Sequence, residues 1–342
     1  MIGSVYMTTK ILPFSAESAK AAADILRGGG IVGIPTETVY GLAADARNVE
    51  AVRSIFEAKG RPQDNPLIVH ISNMDMLPPL VRDIPPIALK LAERFWGGPL
   101  TMIFPKSDII PSTTSGGLDT VAVRMPSSEA AREIIDACGF PLAAPSANLS
   151  GKPSPTTAKH VFDDMDGKIP LIIDGGECSV GVESTVICFR NGKIHILRPG
   201  GITAEMLSEF GGVEVDKAVT ARPDPNERVL SPGMKYKHYS PKADVTIINA
   251  HGEQFVEYCR SVAEKSAGKK VLALGAGVDE AGIFMDYGKD TSLQAHRLFA
   301  LLRYADDVGA DIVLVEMPSE DGIGLAVYNR LIRAAGFKIA EV

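Results

Sequence analysis

Residues 15–42 read SAESAKAAADILRGGGIVGIPTETVYGL, and this stretch decides the class of fold. Ser15 stands where an N-cap belongs, ahead of a helix-forming run over 16–27 that Gly28 to Gly30 bring to an end. The apolar run 31–35 then reads as a buried strand. Asn48 caps a second helix whose Val52, Ile55 and Phe56 share a face, and Gly60 followed by Pro62 stops it just beyond Lys59.

The helix-to-strand rhythm continues outward from there. Further strands are expected at 67–71, 100–105, 121–125, 141–144, 171–174, 184–189 and 194–197, with helices at 86–96, 128–138 and 157–163. Helices separate the early strands, but the last two are separated by the turn signal Asn191-Gly192, which predicts a hairpin. The sheet is therefore expected to be mixed, twisted and flanked by helices.

From 211 to 242 the regular pattern lapses into a stretch bearing Pro223, Pro225, Pro232 and Pro241, too long for an ordinary connection and readable as a linker or lid. Beyond it, strands at 245–249, 271–274 and 312–315 alternate with helices at 253–267, 292–308 and 325–335. This is the pattern of a small, open, parallel α/β domain of Rossmann-like character. No Gly-x-Gly-x-x-Gly follows its first strand, so no dinucleotide is assigned to it. The expected organisation is a catalytic domain over 1–210, a linker and lid over 211–243, and a C-terminal domain over 244–342.

Composition agrees with two folded domains: 342 residues exceed one ordinary core, and 45% hydrophobic with 23% charged residues leaves little room for disorder. A net charge of -7 repels polyanions, so any nucleotide or RNA site must be a local basic patch. Cys138, Cys178, Cys188 and Cys259 show neither zinc nor redox spacing and read as small buried hydrophobes in a reducing compartment. The first twelve residues lack the features of a signal peptide, and no apolar stretch reaches the length of a membrane span, so a cytoplasmic protein is expected.

Four segments combine polar side chains with glycine or proline where packing alone would favour apolar residues. They are Pro35-Thr36-Glu37-Thr38-Val39-Tyr40-Gly41-Leu42; Lys59-Gly60-Arg61-Pro62 with Asn65 and His70 downstream; Pro145-Ser146-Ala147-Asn148; and Ser231-Pro232-Gly233-Met234 with Tyr236, His238 and Tyr239. Lys59 and Arg61 at a helix end complement its dipole, but two cations around one glycine also concentrate the charge that phosphate oxygens need. Ser146 and Asn148, two apart, point to one side of an extended segment and can offer a hydroxyl and an amide to a ribose or phosphate; a turn or helix cap is the plainer alternative.

Together these segments, with Ser184-Thr185 ahead of Arg198-Pro199-Gly200, resemble the YrdC-like family of threonylcarbamoyl-AMP synthases in its longer two-domain form. The resemblance runs by motif from about Ser15 to Pro241, and beyond that only in general character. It implies that the threonine amine captures carbon dioxide or bicarbonate, and that the resulting N-carboxylate attacks the α-phosphate of ATP and expels pyrophosphate. The product would pass to a tRNA threonylcarbamoyl transferase, which modifies an adenosine beside the anticodon.

The resemblance further implies that Lys59 and Arg61 carry the catalytic charge. The nucleotide would lie on Lys59, Arg61, Asn65, Thr120, Ser146, Asn148, Ser154, Arg198 and Tyr236, and L-threonine on Thr36, Thr38, His70, Arg124 and Ser184. Arg124 would grip the threonine carboxylate, the alternative being a surface salt bridge; His70 would bind rather than act as a base, the alternative being a satisfied core histidine. Mg2+ would arrive with ATP, held by phosphate oxygens and water, because the motifs contain no carboxylate cluster. Tyr236 and its neighbours would close as a lid. Two other readings stay open: an RNA-binding module making weak contact with tRNA, and a carbamoyl transferase that uses preformed carbamoyl phosphate.

Overall fold

The computed structural model describes residues 8–63, 65–221 and 239–342. Its N-terminal part opens with β1 (Lys10–Pro13), α1 (Ala16–Arg27), β2 (Val32–Ile34), β3 (Gly41–Asp45), α2 (Val49–Lys59) and β4 (Ile68–His70). It continues through α3 (Pro86–Phe95), β5 (Leu100–Pro105), α4 (Ser112–Ser115), β6 (Thr120–Arg124), α5 (Glu129–Cys138), β7 (Leu142–Ala143), α6 (Ala158–Met165) and β8 (Leu171–Asp174). It closes with β9 (Thr185–Arg190), β10 (Lys193–Arg198), α7 (Ala204–Ser208) and β11 (Val213–Val215).

These strands form one mixed sheet in the order β1-β8-β2-β3-β7-β4-β6-β5-β9-β10-β11. The expected hairpin is present: β9 and β10 pair antiparallel, and Asn191 and Gly192 both take the positive φ that a tight two-residue turn demands. The helix caps also form as the sequence suggests. The Ser15 and Ser18 hydroxyls accept from each other's backbone N–H across the first turn of α1, and Asn48 Oδ1 accepts from Glu50 N and Ala51 N. Small residues on α1 (Ala19, Ala22 and Ala23) let it lie close against Ala131, Ile134 and Ile135 of α5. Burial of each Ile or Leu in such a core contributes about 1.5–3 kcal/mol.

The second part comprises β12 (Asp244–Asn249), α8 (Gly252–Lys265), β13 (Val271–Gly275), β14 (Phe284–Asp286), α9 (Thr291–Asp307), β15 (Ile312–Glu316), α10 (Gly324–Ala334) and β16 (Ile339–Glu341). Its five strands are all parallel, in the order β14-β13-β15-β12-β16, which matches the open parallel α/β character expected of it.

Five strands were not expected. The Gly-Leu-Ala-Ala-Asp composition of β3 lacks the β-branched and aromatic residues that mark strands, and β1, β11, β14 and β16 are short. The stretch read as patternless from 211 also needs correction, because β11 pairs with β10 and a 3-10 turn follows at Lys217–Val219. Residues 222–238, including Tyr236, lie outside the described residues.

The two parts dock through α9 and α10. Gly181, at φ +81°, lies so close to α9 that a Cβ there would stand 2.5 Å from His296 Cα. Arg303 of α9 donates to the Pro153 carbonyl at 2.6 Å and to Asp164 Oδ2 at 2.7 Å, and Asn329 of α10 donates to the Val219 carbonyl at 2.6 Å.

Candidate active site

Two of the polar segments are stitched side by side. Leu42 N donates to the Pro145 carbonyl and Ala147 N to the Tyr40 carbonyl, both at 2.8 Å, and Gly41 bridges Ser146 in antiparallel fashion. The extended segment through Ser146 and Asn148 therefore runs along the loop that carries Thr36 and Thr38. Both Ser146 and Asn148 line one cleft, together with Lys59, Arg61, Arg124 and Arg198.

Lys59 reaches that cleft from the end of α2, where Gly60 adopts the left-handed conformation (φ 60°, ψ 41°) that terminates the helix. Its ammonium donates to the carbonyls of Ser146 and Asn148, the latter at 2.7 Å, and approaches Asn148 Oδ1 at 3.4 Å. Burial, reinforced by the nearby Arg61 charge, lowers its pKa well below the usual lysine value. Arg61 also lines the cleft, as do Thr36, Thr38, His70, Arg124, Ser184 and Arg198.

The hydroxyl of Ser146 donates to Asn148 Oδ1 at 2.6 Å, and Asn148 Nδ2 is held by the carbonyls of Leu149 and Lys152, each at 2.9 Å. The pair is thus held in place by bonds within four residues, as in a turn, and lines the cleft with its orientation preset.

Arg124 ends β6, beside His70 at the end of the parallel neighbour β4. It is buried, which excludes the surface salt bridge: Nη2 lies 2.6 Å from Glu37 Oε1, and Nη1 donates to Thr38 Oγ1 at 2.9 Å. Burial alone would raise the Glu37 pKa, but the Arg124 charge prevails and lowers it. Glu37 thereby holds Arg124 in place, a role the sequence reading did not give it.

The Nδ1 of His70 sits 3.2 Å from the Ile68 carbonyl, and the ring also meets the backbone of Leu142. Burial, followed by the Arg124 charge, pulls the His70 pKa down to about 3. Arg198 donates from Nε to the Ser184 carbonyl and from Nη2 to Ser184 Oγ, both at 3.1 Å, while Ser184 Oγ meets Thr101 Oγ1 at 2.8 Å.

Three residues expected at the nucleotide do not line this cleft. Ser154 is fully buried with its hydroxyl donated to Glu183 Oε1 at 2.6 Å, so it holds a carboxylate that itself lines the cleft. Asn65 is buried next to the lining residue Pro66, and its Nδ2 has no hydrogen-bond partner among the described residues. Thr120 begins β6 opposite Pro105, at the end of the strand remote from Arg124. Tyr239, read as part of the lid, is instead buried against Phe299 of α9, with ring centroids 5.2 Å apart, and closes one side of the cleft.

Two more residues of the site escaped the sequence reading. Glu183 precedes the motif residue Ser184, and its Oε2 accepts from Arg330 Nε of α10 at 2.8 Å. The available signal was Arg330 itself, a charge on the face shared by Ala326, Val327, Leu331 and Ala334, which requires a buried partner.

Residues 24–200 match the family described as Telomere recombination, and residues 202–336 match Threonylcarbamoyl-AMP synthase, C-terminal domain. The chain is 46% identical to the Threonylcarbamoyl-AMP synthase of Pyrococcus abyssi over 94% of its own length and 95% of that protein's. The chain belongs to the threonylcarbamoyl-AMP synthase family. The family member from Bacillus subtilis is 43% identical, over 98% of this chain and 97% of its own. Among solved structures, the P. abyssi Sua5 complexed with L-threonine superposes with a TM-score of 0.92 at 44% identity, covering 98% of this chain and 99% of that one. The fold of these synthases is therefore shared across both parts of the chain.

Among the described residues, no helix is long and apolar enough to cross a membrane, and no group of three or more His, Cys, Asp or Glu side chains is placed to hold a metal ion.

Proposed function

We propose that the chain condenses L-threonine, bicarbonate and ATP into threonylcarbamoyl-AMP, releasing water and pyrophosphate. The observation that carries this reading is the meeting of two chemistries in one cleft. Lys59, bonded to the polar wall of Ser146 and Asn148, shares the cleft with the cations Arg61 and Arg198, while Thr36, Thr38, His70, Arg124 and Ser184 supply small, buried polar groups.

The amine nitrogen of threonine bonds to the carbon of bicarbonate, and water leaves. An oxygen of the resulting N-carboxylate then attacks the α-phosphorus, and the bond from that phosphorus to the bridging oxygen of pyrophosphate breaks. Charge develops on phosphate oxygens throughout, so fixed cations lower the barrier without covalent catalysis. Arg124, held by Glu37 and Thr38, meets the threonine carboxylate. His70, neutral and lining the cleft, meets the hydroxyl or amine. With a pKa near 3 it is too weak a base to carry the amine proton, which leaves bicarbonate or water for that role.

Magnesium enters as part of the MgATP substrate. Glu37 and Glu183, the carboxylates closest to the chemistry, are each engaged by an arginine, so phosphate oxygens and water are the ion's natural ligands. The unstable adenylate calls for a downstream transferase that accepts it, with tRNA as the final acceptor. The concentration of positive charge inside a closed cleft, on a chain of net charge -7, favours a small polyanion over an RNA surface.

The test is pyrophosphate release from MgATP and bicarbonate with a panel of amino acids. Release that requires threonine, with at most about one part in 10⁴ for valine, supports the reading through the hydroxyl-selective pocket. Release with carbamoyl phosphate in place of bicarbonate and threonine overturns it.

A further inference from the structure

A carboxylate lines a cleft whose other charged walls are cationic. Glu183 is buried with Lys59, Arg61 and Arg198 around the same space, and an unpaired anion there would repel the phosphates of a nucleotide. It is not unpaired: Arg330, itself fully buried on α10 of the C-terminal domain, reaches across with Nε at 2.8 Å from Glu183 Oε2. The same guanidinium donates from Nη2 to the Glu183 carbonyl at 3.3 Å and from Nη1 to the Pro199 carbonyl at 2.8 Å. It therefore ties together the two chain segments that present Ser184 and Arg198.

These segments leave no slack. At Gly200 a Cβ would fall 2.3 Å from Thr185 N and 2.6 Å from the Glu183 carbonyl, so only a glycine lets the strands cross there. Burial pushes the Glu183 pKa up, yet Arg330 and then Arg198 outweigh it, and the carboxyl stays ionised.

We propose that Arg330 is a positioning residue of the synthase site: it neutralises Glu183 from behind the cleft wall, so that the C-terminal domain completes the charge pattern that receives the ATP phosphates. The inference rests on the proposed reaction, and a wild-type protein that releases no pyrophosphate with threonine would remove that reaction first. Arg330 acts through Glu183 and touches no reacting atom.

The experiment is a mutant cycle on the full chain, read as KM for ATP and kcat in the threonine-dependent release of pyrophosphate. Arg330→Met takes the guanidinium from Glu183 and leaves the carboxylate only its hydrogen bond from Ser154 and the more distant Arg198 charge, and KM for ATP is expected to rise tenfold or more while kcat changes less than threefold. Glu183→Gln in the Arg330→Met background removes that anion and is expected to restore KM to within threefold of the Glu183→Gln single variant. A purely structural arginine would lower kcat as well, because the segment it holds also carries Ser184; a rise confined to KM for ATP, reversed by Glu183→Gln, sets the positioning role apart. An unchanged KM in a folded Arg330→Met protein would overturn the proposal. If that variant does not fold, the double variant decides the matter alone: a KM tenfold above that of Glu183→Gln would mean that Arg330 acts by another route.

Discussion

The Lys59 ammonium donates to the main-chain carbonyls of both Ser146 and Asn148, so the helix-end cation and the Ser-x-Asn segment are parts of one wall. Replacing Lys59 with Met removes the donor and leaves two buried acceptors unsatisfied. The expected outcome is a loss of about 1–3 kcal/mol in thermal or urea unfolding, together with a fall in turnover of about 10²-fold or more, as for other fixed transition-state donors. Wild-type stability with reduced activity would place Lys59 on the ligand alone.

The pKa of Lys59 is lowered by burial, so its charge is lost at a lower pH than that of an ordinary lysine. ATP binding should therefore weaken as pH is raised into the alkaline range, before surface lysines discharge. Calorimetric titration of ATP across that range checks this, and the Lys59→Met variant should have lost the dependence.

His70 binds a proton in the folded protein only near pH 3, whereas in the unfolded chain it does so near the ordinary histidine value of 6.5. Between these values protons favour the unfolded state, so the contribution is a loss of stability as pH falls from about 6.5 toward 3. His70→Gln should flatten acid unfolding over that window. In the wild type, the ring should show no imidazole titration by NMR between pH 5 and 8.

Two glycines separate backbone strain from domain docking. Gly60 has a left-handed backbone with open space where a Cβ would go, so Gly60→Ala should cost about 1 kcal/mol and displace Lys59 and Arg61. Gly181 combines positive φ with contact against α9, and Gly181→Ala should cost about 1–3 kcal/mol or more. Limited proteolysis should then cut between the two parts in Gly181→Ala but not in Gly60→Ala.

Local chemistry made much of this legible in the sequence. Ser15, Asn48 and Gly60 announce helix ends through hydrogen bonds made within a few residues, and Asn191-Gly192 announces its hairpin in the same way. The polar motifs stood out because glycine and proline surround them. What was hidden depends on distant partners. Glu37 gains its meaning only from Arg124, Glu183 only from Arg330, and Ser154 turns toward Glu183. Tyr239 looked like part of an exposed lid because its neighbours are polar, yet it is anchored by Phe299, sixty residues later in the chain. The strand β3 went unseen because its glycine and alanines serve close packing beside Ala144 and Pro145 instead of strand propensity.

The central claim is that one cleft joins threonine to bicarbonate before the adenylate forms. Mass spectrometry of the product made with isotopically labelled bicarbonate tests it most directly. The expected species carries AMP, threonine and the labelled carbon together. A threonine adenylate without the label, or AMP formed with no threonine attached, would contradict it.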